Sequence, residues 1–226
     1  MSDTPVDSIS AEETPAAPPS GTASGPASGA VAKRSRPRPG ERRVQILQTL
    51  AQMLEQPGAE RITTAALAAK LDVSEAALYR HFASKAQMFE GLIEFIETSV
   101  FSVINQLLER EPTPAVQAQK IASVLLQFGE KNPGMTRVMV GDALVFEHER
   151  LITRMNQFFD RVESQLRGSL RQAAEAAGSP TPTVDAQVLA SAITSLVVGR
   201  LQRYARSGFK RLPTEHLEPA LQRLTL

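Results

Sequence analysis

The sequence predicts an all-α fold in which a small N-terminal unit of three helices precedes a larger helical domain. Beyond residue 40, apolar residues recur three and four positions apart, as they do on one side of an α-helix. Alternation of apolar and polar residues, which is typical of strands, does not extend over any useful length. Pro-Gly pairs at 57–58 and 133–134 divide the chain into segments of helical length. We place the predicted domains at residues 1–39, 40–86 and 87–226.

Composition is typical of a cytoplasmic protein. The chain has 226 residues, enough for one or two domains, and no cysteine, which fits a reducing compartment and excludes a disulfide framework. The N-terminus does not have the pattern of a secretory signal, and no run of about 20 apolar residues is present. We therefore expect no membrane association.

Charge is distributed unevenly at the N-terminus, although the net charge is only +1. Residues 1–39 are rich in Pro, Ser, Ala, Gly and Thr, a composition that predicts a disordered tail. Residues 1–32 carry four acids and no base, whereas residues 33–43 carry six bases against one acid. The basic stretch is either a solvated linker or an arm that contacts DNA phosphates or a minor groove. Its position just before a helix-turn-helix pattern favours the arm.

The first helix is predicted over Glu41–Gln56, and its apolar stripe forms a lid over the helices that follow. The stripe consists of Val44, Leu47, Leu50, Ala51 and Leu54.

Two short helices after this lid form a predicted helix-turn-helix. The first spans Ala65–Leu71, with Thr63 or Thr64 as its N-cap, because a hydroxyl oxygen can accept a hydrogen bond from a free amide of the first turn. The second spans Glu75–Phe82, with Ser74 as its N-cap.

The exposed face of the second short helix suits a DNA major groove. Leu78 and Phe82 lie four positions apart and point inward, so the other residues face outward. Small side chains allow close approach to base edges, and polar or basic ones reach phosphates. The alternative is a three-helix core with a polar exterior. The predicted DNA contacts are Arg42, Arg43, Thr63, Thr64, Ser74, Glu75, Ala76, Ala77, Tyr79, Arg80, His81 and Lys85.

A long helix over residues 85–110, capped by Ser84, links the two folded domains. Beside its main apolar stripe it has a second apolar flank with Leu92, Phe95 and Val103, so it either packs on two sides or leaves one side for a partner. The remaining helices are predicted over 115–130, Met135–Val145, Phe146–Ala177, Val184–Ser207 and Pro213–Leu226.

The helices Phe146–Ala177 and Val184–Ser207 carry small and apolar faces that predict a four-helix dimer interface. The alternative is that they only close the core of the monomer. A dimer is favoured because a helix-turn-helix usually needs two copies to reach two half-sites one DNA turn apart. In the later helix the residues predicted to point inward are Val188, Ala192, Ile193, Leu196, Val197 and Leu201. The predicted interface residues are Phe159, Val162, Leu166, Leu196 and Gly199.

No catalytic or metal-binding constellation is recognisable in the sequence. Glycine-rich phosphate loops, HExxH and G-x-S-x-G are absent, and His148 with Glu147 provides too few ligands for a metal. We predict a protein that is not an enzyme and needs no cofactor.

The pattern S-x-x-x-L-Y-x-H-F-x-S-K, from Ser74 to Lys85, resembles the DNA-binding motif of TetR-family regulators. This resemblance implies a TetR-like fold, in which a helical dimerisation domain follows the helix-turn-helix domain. Within that family, the segments RITTA, SEAALYRHF, LIEFIE and NPG together resemble those of nucleoid occlusion proteins, over Arg42 to about Arg211.

The second resemblance implies a homodimer that binds short palindromic sites in double-stranded DNA, with room for two dimers per site. It also implies antagonism of polymers of the tubulin-like division protein FtsZ, whose C-terminal tail docks on the helices at 85–110 and 115–130. Phe95 is alternatively a core residue, and lysine at 131 and valine at 103 stand where arginine is expected. The implied partner contacts are Leu92, Phe95, Lys131 and Asn132.

Two other functions stay open at the level of sequence. A transcriptional repressor controlled by a small effector would need an internal pocket, for which Gln127 and Asp142 are the best polar candidates. A purely architectural nucleoid protein would use only the basic arm and the dimer.

Overall fold

The described residues, 40–56 and 61–225, of this computed structural model contain nine α-helices and one 3-10 helix. No strand occurs in those ranges, and the all-α prediction is confirmed. The predicted disordered tail at 1–39 lies outside them. The helices are α1 (Glu41–Leu54), α2 (Thr64–Lys70), α3 (Glu75–Tyr79), α4 (Lys85–Arg110), α5 (Pro114–Lys131), α6 (Pro133–Met139), α7 (Glu149–Ala176), α8 (Pro182–Arg206) and α9 (Leu217–Thr225), and the 3-10 helix is Asp142–Leu144.

Side-chain caps determine where α2, α3 and α4 begin. The hydroxyls of Thr63, Ser74 and Ser84 each accept a hydrogen bond from the backbone N–H three residues further on, at 3.1, 3.2 and 3.2 Å. These bonds satisfy amides that have no partner within the helix. The predicted caps at Ser74 and Ser84 are confirmed, and of the two threonines Thr63 is the cap.

The core under the helix-turn-helix contains buried side chains of α1, α2 and α3, together with Phe82 just after α3. Leu78 and Phe82 are each 1% exposed, although α3 ends at Tyr79 rather than at Phe82. The predicted stripe of α1 was wrong at Val44, which is 54% exposed, and it omitted Ile46, which is fully buried. Residues two apart on a helix point about 200° apart, so only one of these two can face the core.

α4 is buried along most of its length, and α5 packs between it and the pair formed by α7 and α8. The second apolar flank of α4 divides into core and surface. Leu92 is fully buried, which corrects its assignment to an exposed flank, whereas Phe95 and Val103 are 49% and 48% exposed.

The segment between α6 and α7 differs from the sequence-based prediction. A single helix was predicted over Met135–Val145, but α6 ends at Met139 and a separate 3-10 helix follows. Gly141 lies between them with φ of +84°, a conformation that glycine adopts without the cost of a Cβ clash. α7 then begins at Glu149, not at Phe146.

α8 has one apolar face in the core and another exposed. Ile193, Val197 and Leu201 are buried as predicted, but Val188 is 62% exposed and Ala192 is exposed as well, so both were wrongly assigned inward. In length and composition α4 and α8 are each apolar enough to cross a membrane, a test that buried core helices also pass. In α4 most of the large apolar side chains are buried in the core, whereas in α8 some of them lie on the exposed face.

The NPG segment brings the start of α6 into close contact with α1. A Cβ built on Gly134 would lie 2.1 Å from the backbone oxygen of Ala51 and 3.3 Å from Cβ of Leu54. Only glycine permits this approach without displacement of one helix.

We predict that Gly134→Ala lowers the free energy of unfolding by about 1–3 kcal/mol, because the backbone of α1 or α6 must move to make room for the methyl group. Urea and thermal unfolding followed by circular dichroism measure the change. Gly168→Ala on the exposed side of α7 is the control, since a Cβ there meets nothing within 4 Å. Equal stability of the two variants would contradict the close packing of α6 on α1.

Candidate nucleic-acid interface

α3 presents an exposed face that its buried residues hold in place. Leu78 and Phe82 lie in the core, while Ala76 and Arg80 are exposed and Tyr79 is 45% exposed. The exposed set therefore combines small side chains, which permit close approach, with an aromatic hydroxyl and a guanidinium, which can donate hydrogen bonds. This is the face that the sequence predicted to be free.

The starts of α2 and α3 lie side by side. Thr64 Oγ1 donates a hydrogen bond to Glu75 Oε2 at 2.5 Å, and both residues are the first in their helices. Glu75 therefore holds α2 and α3 together, a role that its type and position in the sequence did not indicate.

Arg43, predicted as a phosphate contact, has partners within the chain. Its Nη1 donates to the backbone oxygen of His81 at 3.0 Å, and its guanidinium lies 4.1 Å from the centroid of the Phe82 ring. These contacts join α1 to the end of the helix-turn-helix. Arg42 Nη1 donates to Gln45 Oε1 at 2.8 Å on the exposed surface of α1.

Lys85, at the start of α4, is partly covered and paired with a distant acid. Its ammonium donates to Glu147 Oε1, and it lies 5.7 Å from the ring of Phe89. The two side chains are 27% and 9% exposed. Sequence reasoning missed Glu147 as a partner, because no local pattern connects residues 62 positions apart.

A second exposed surface, which we call the α4–α5 surface, is centred on two phenylalanines. The rings of Phe95 and Phe128 have centroids 6.3 Å apart and planes inclined at 43°. Val103 continues the apolar stripe along α4 and borders a cavity of about 330 Å³. That cavity is lined by Val103, Gln106, Leu107, Arg110, Glu111 and Lys120.

Basic side chains lie at both ends of the α4–α5 surface. Lys131 is exposed at the end of α5 near Phe128, and Arg110 is exposed at the far end of α4. Lys120 pairs with Glu111, and this hydrogen bond holds the pKa of the Glu111 carboxyl below its ordinary value.

Asn132 and Leu92, predicted as partner contacts, have structural roles. Asn132 Nδ2 donates to the backbone oxygen of Phe128 at 2.8 Å, and this bond closes the end of α5 next to the exposed Lys131. Leu92 is in the core and cannot contribute surface, which removes it from the predicted contact set.

A third surface, on α7 and α8, contains the predicted dimer residues only in part. Phe159, Leu196 and Gly199 are partly exposed, and a Cβ on Gly199 would meet nothing within 4 Å. Val162 and Leu166 are 2% and 0% exposed, so they belong to the core of the single chain and are corrected as interface residues.

The exposed side of α8 extends this surface. Val184 and Val188 are 60% and 62% exposed and border a cavity of about 560 Å³. Val188 was predicted to point inward from the spacing of apolar residues. Because α8 is apolar on more than one side, that spacing does not show which side is buried. The cavity is lined by Val184, Gln187, Val188, Ser191, Ala192 and Ser195.

Among residues 40–56 and 61–225, no group of three or more histidine, aspartate or glutamate side chains is arranged to hold a metal ion. His148 instead caps α7, where its Nδ1 accepts a hydrogen bond from Arg150 N–H at 3.3 Å.

Comparison with protein families matches both halves of the folded chain. Residues 46–92 match the family described as bacterial regulatory proteins, tetR family. Residues 113–225 match the SlmA-like family described as tetracyclin repressor-like, C-terminal domain.

Several curated proteins are similar to this chain over most of its length. Nucleoid occlusion factor SlmA of Photobacterium profundum is 52% identical over 185 residues, which cover 81% of this chain and 94% of that protein. The protein of the same name from Vibrio vulnificus is 52% identical over 178 residues, which cover 78% and 90%.

Solved structures of TetR-type regulators share the fold at low identity. The fatty acid degradation regulator FadR from Bacillus halodurans has a TM-score of 0.68 at 14% identity, covering 82% of this chain and 95% of that one. The TetR-family regulator PfmR from Thermus thermophilus has a TM-score of 0.65 at 20% identity, covering 80% and 94%.

Proposed function

Because the chain belongs to the family of nucleoid occlusion factors named SlmA, within the TetR-type DNA-binding regulators, we propose that it binds palindromic chromosomal DNA as a dimer and prevents division over the nucleoid by antagonising FtsZ polymers. The family consists of DNA-binding regulators, not enzymes. The proposed place of action is the nucleoid in the cytoplasm.

The exposed face of α3 is the observation that carries the DNA-binding part of the proposal. Its small residues and Tyr79 project from a helix whose other side is fixed in the core by Leu78 and Phe82. A short, rigidly held helix with this face fits a major groove, and the start of α4 supplies Lys85 for a phosphate. The basic residues before α1 add affinity without sequence preference.

The exposed apolar side of α8 supports a dimer formed through α7 and α8. Val184 and Val188 would be costly to leave in water, and the open space over Gly199 permits close approach of a second helix. Phe159 and Leu196 extend this surface and stay in the proposed interface. Val184 and Val188 take the place of the buried Val162 and Leu166. Two copies would present two α3 helices to the half-sites of one palindrome.

The α4–α5 surface is the proposed docking site for the C-terminal tail of FtsZ. Phe95 is half exposed and supported by Phe128, which makes it a rigid apolar anchor of the kind that dominates binding energy. Lys131 and Arg110 at the two ends of the surface favour an extended peptide that carries negative charge. Asn132 contributes by fixing the end of α5 that carries Lys131.

The effector-controlled repressor receives less support. Its best interior candidates do not converge: Gln127 is exposed on α5, and Asp142 lies in the 3-10 helix. An internal ligand site requires several polar groups directed into one pocket. A purely architectural nucleoid protein would need no partner, so it does not explain why the α4–α5 surface is apolar and exposed.

We expect Tyr79→Ala and Lys85→Ala each to weaken DNA binding by about 1–3 kcal/mol for all sequences, since each removes one phosphate contact. Fluorescence anisotropy with palindromic duplexes at several salt concentrations measures the loss. Lys120→Ala, an exposed lysine on α5, is the matched control. Unchanged affinity at every salt concentration would contradict the phosphate role.

Phe95→Ala should weaken binding of a peptide with the C-terminal sequence of FtsZ by about 2 kcal/mol or more, because it removes the central anchor. Its DNA affinity and dimerisation should match those of the unaltered chain. Val145→Ala, at another exposed apolar residue, provides the control. Early melting of Phe95→Ala would instead identify Phe95 as a core residue and reject the docking site.

Val188→Glu is expected to shift the dimer toward monomer by at least about tenfold in dissociation constant, because it places charges on the apolar seam. Analytical ultracentrifugation measures the equilibrium, with Val145→Glu as a control of equal charge and similar exposure. A Val188→Glu chain that dimerises normally would show that α8 does not form the interface.

A further inference from the structure

The ion pair between Lys85 and Glu147 connects the DNA-binding motif to the C-terminal domain. Resting on the proposed function, in which Lys85 contacts a phosphate, we propose that Glu147 competes with DNA for Lys85 and thereby sets the DNA affinity of the helix-turn-helix. A DNA phosphate and the Glu147 carboxylate both seek the same ammonium. Binding of DNA would open the pair or bring two anions close together, and either outcome lowers affinity.

Glu147 is held in position by its own segment. Its backbone N–H donates to the backbone oxygen of Leu144 at 3.0 Å, and Leu144 and Ala143 are 0% and 3% exposed in the core. The carboxylate therefore approaches Lys85 from a fixed support, with its side chain only 9% exposed. Such burial reduces the screening that weakens ordinary surface pairs.

Lys85 also has little freedom to reach both partners. It lies in the first turn of α4, its side chain is 27% exposed, and its ammonium lies 5.7 Å from the Phe89 ring. An ammonium has three donors, but a covered one meets new acceptors only from its open side. A phosphate on that side must displace the carboxylate or accept its repulsion.

The neighbouring segment makes a second contact with the helix-turn-helix unit. The guanidinium of Arg61, just before α2, lies 6.0 Å from the ring of Phe146, which is 65% exposed. Phe146 therefore lies near Arg61, just before α2, and Glu147 pairs with Lys85 at the start of α4.

Two further pairs hold α4 to α7 beyond the DNA-binding end. Arg150 Nε lies 2.8 Å from Glu90 Oε1, and Arg154 donates two hydrogen bonds to Glu97, at 3.0 and 2.6 Å. The Glu97 carboxylate raises the pKa of Arg154 through these bonds. Because neither pair involves a predicted DNA contact, we expect DNA binding to open only the pair at Lys85.

The test compares the DNA affinity of the full-length chain with those of Glu147→Gln and Glu149→Gln, by anisotropy with one palindromic duplex. Both changes remove one negative charge, but Glu149 is an exposed residue at the start of α7. Glu147→Gln should bind about 3- to 10-fold more tightly than Glu149→Gln, the range expected for a partly buried pair. Equal affinities of the two variants would overturn the proposal.

A double-mutant cycle separates this inference from the proposed function. Lys85→Ala should cost more affinity in the Glu147→Gln background than in the unaltered chain, because the ammonium is then free for phosphate. A loss of equal size in both backgrounds would overturn the competition and leave the phosphate contact intact. No loss in either background would reject the phosphate contact, and the competition with it.

Thermal unfolding shows whether Glu147→Gln folds normally. Glu147→Asp is a second variant that tests the same pair if Glu147→Gln does not. Aspartate keeps the charge but shortens the side chain by one methylene, so it weakens the pair without changing net charge. We expect its DNA affinity to lie between those of the unaltered chain and a well-folded Glu147→Gln. An affinity equal to that of the unaltered chain would count against the competition.

Discussion

Burial of one side of α4 along its length is the constraint on which both the DNA-binding unit and the α4–α5 surface depend. The same helix carries Lys85 at its start and Phe95 ten residues later, about 15 Å along the axis at 1.5 Å per residue. Its buried residues, from Met88 to Ile104, fix which side remains exposed. Lys85 beside the helix-turn-helix and Phe95 on the α4–α5 surface therefore lie on one continuous helix.

Local chemistry was enough to predict the helix-turn-helix from sequence. Ser74 and Ser84 cap their helices as expected, and Leu78 and Phe82 are buried, because capping and helical spacing act within a few residues. Prediction failed where apolar residues cover more than one side of a helix. The exposed Val188 and the buried Leu92 both sit on such helices, and only packing against other elements decides which side faces inward.

Contacts between distant parts of the chain could not be predicted from the sequence, because no local pattern links the two partners. In the sequence Glu147 stands between Phe146 and His148 with no sign of a partner, and the fold pairs it with Lys85. Arg43 belongs to the basic stretch in the sequence, and the fold places its guanidinium over the ring of Phe82. Both contacts involve residues predicted to touch DNA. The DNA contacts themselves stay a prediction, whereas the internal partners of Lys85 and Arg43 emerge only from the three-dimensional arrangement.

The most direct test of the proposed function is sedimentation of GTP-assembled FtsZ from the same organism. The full-length chain is added alone and together with a palindromic DNA duplex that it selects. We expect loss of pelletable polymer, and a larger loss when DNA is present. Unchanged polymer in both cases, with DNA binding intact, would contradict it and return the chain to the class of regulators that act on DNA alone.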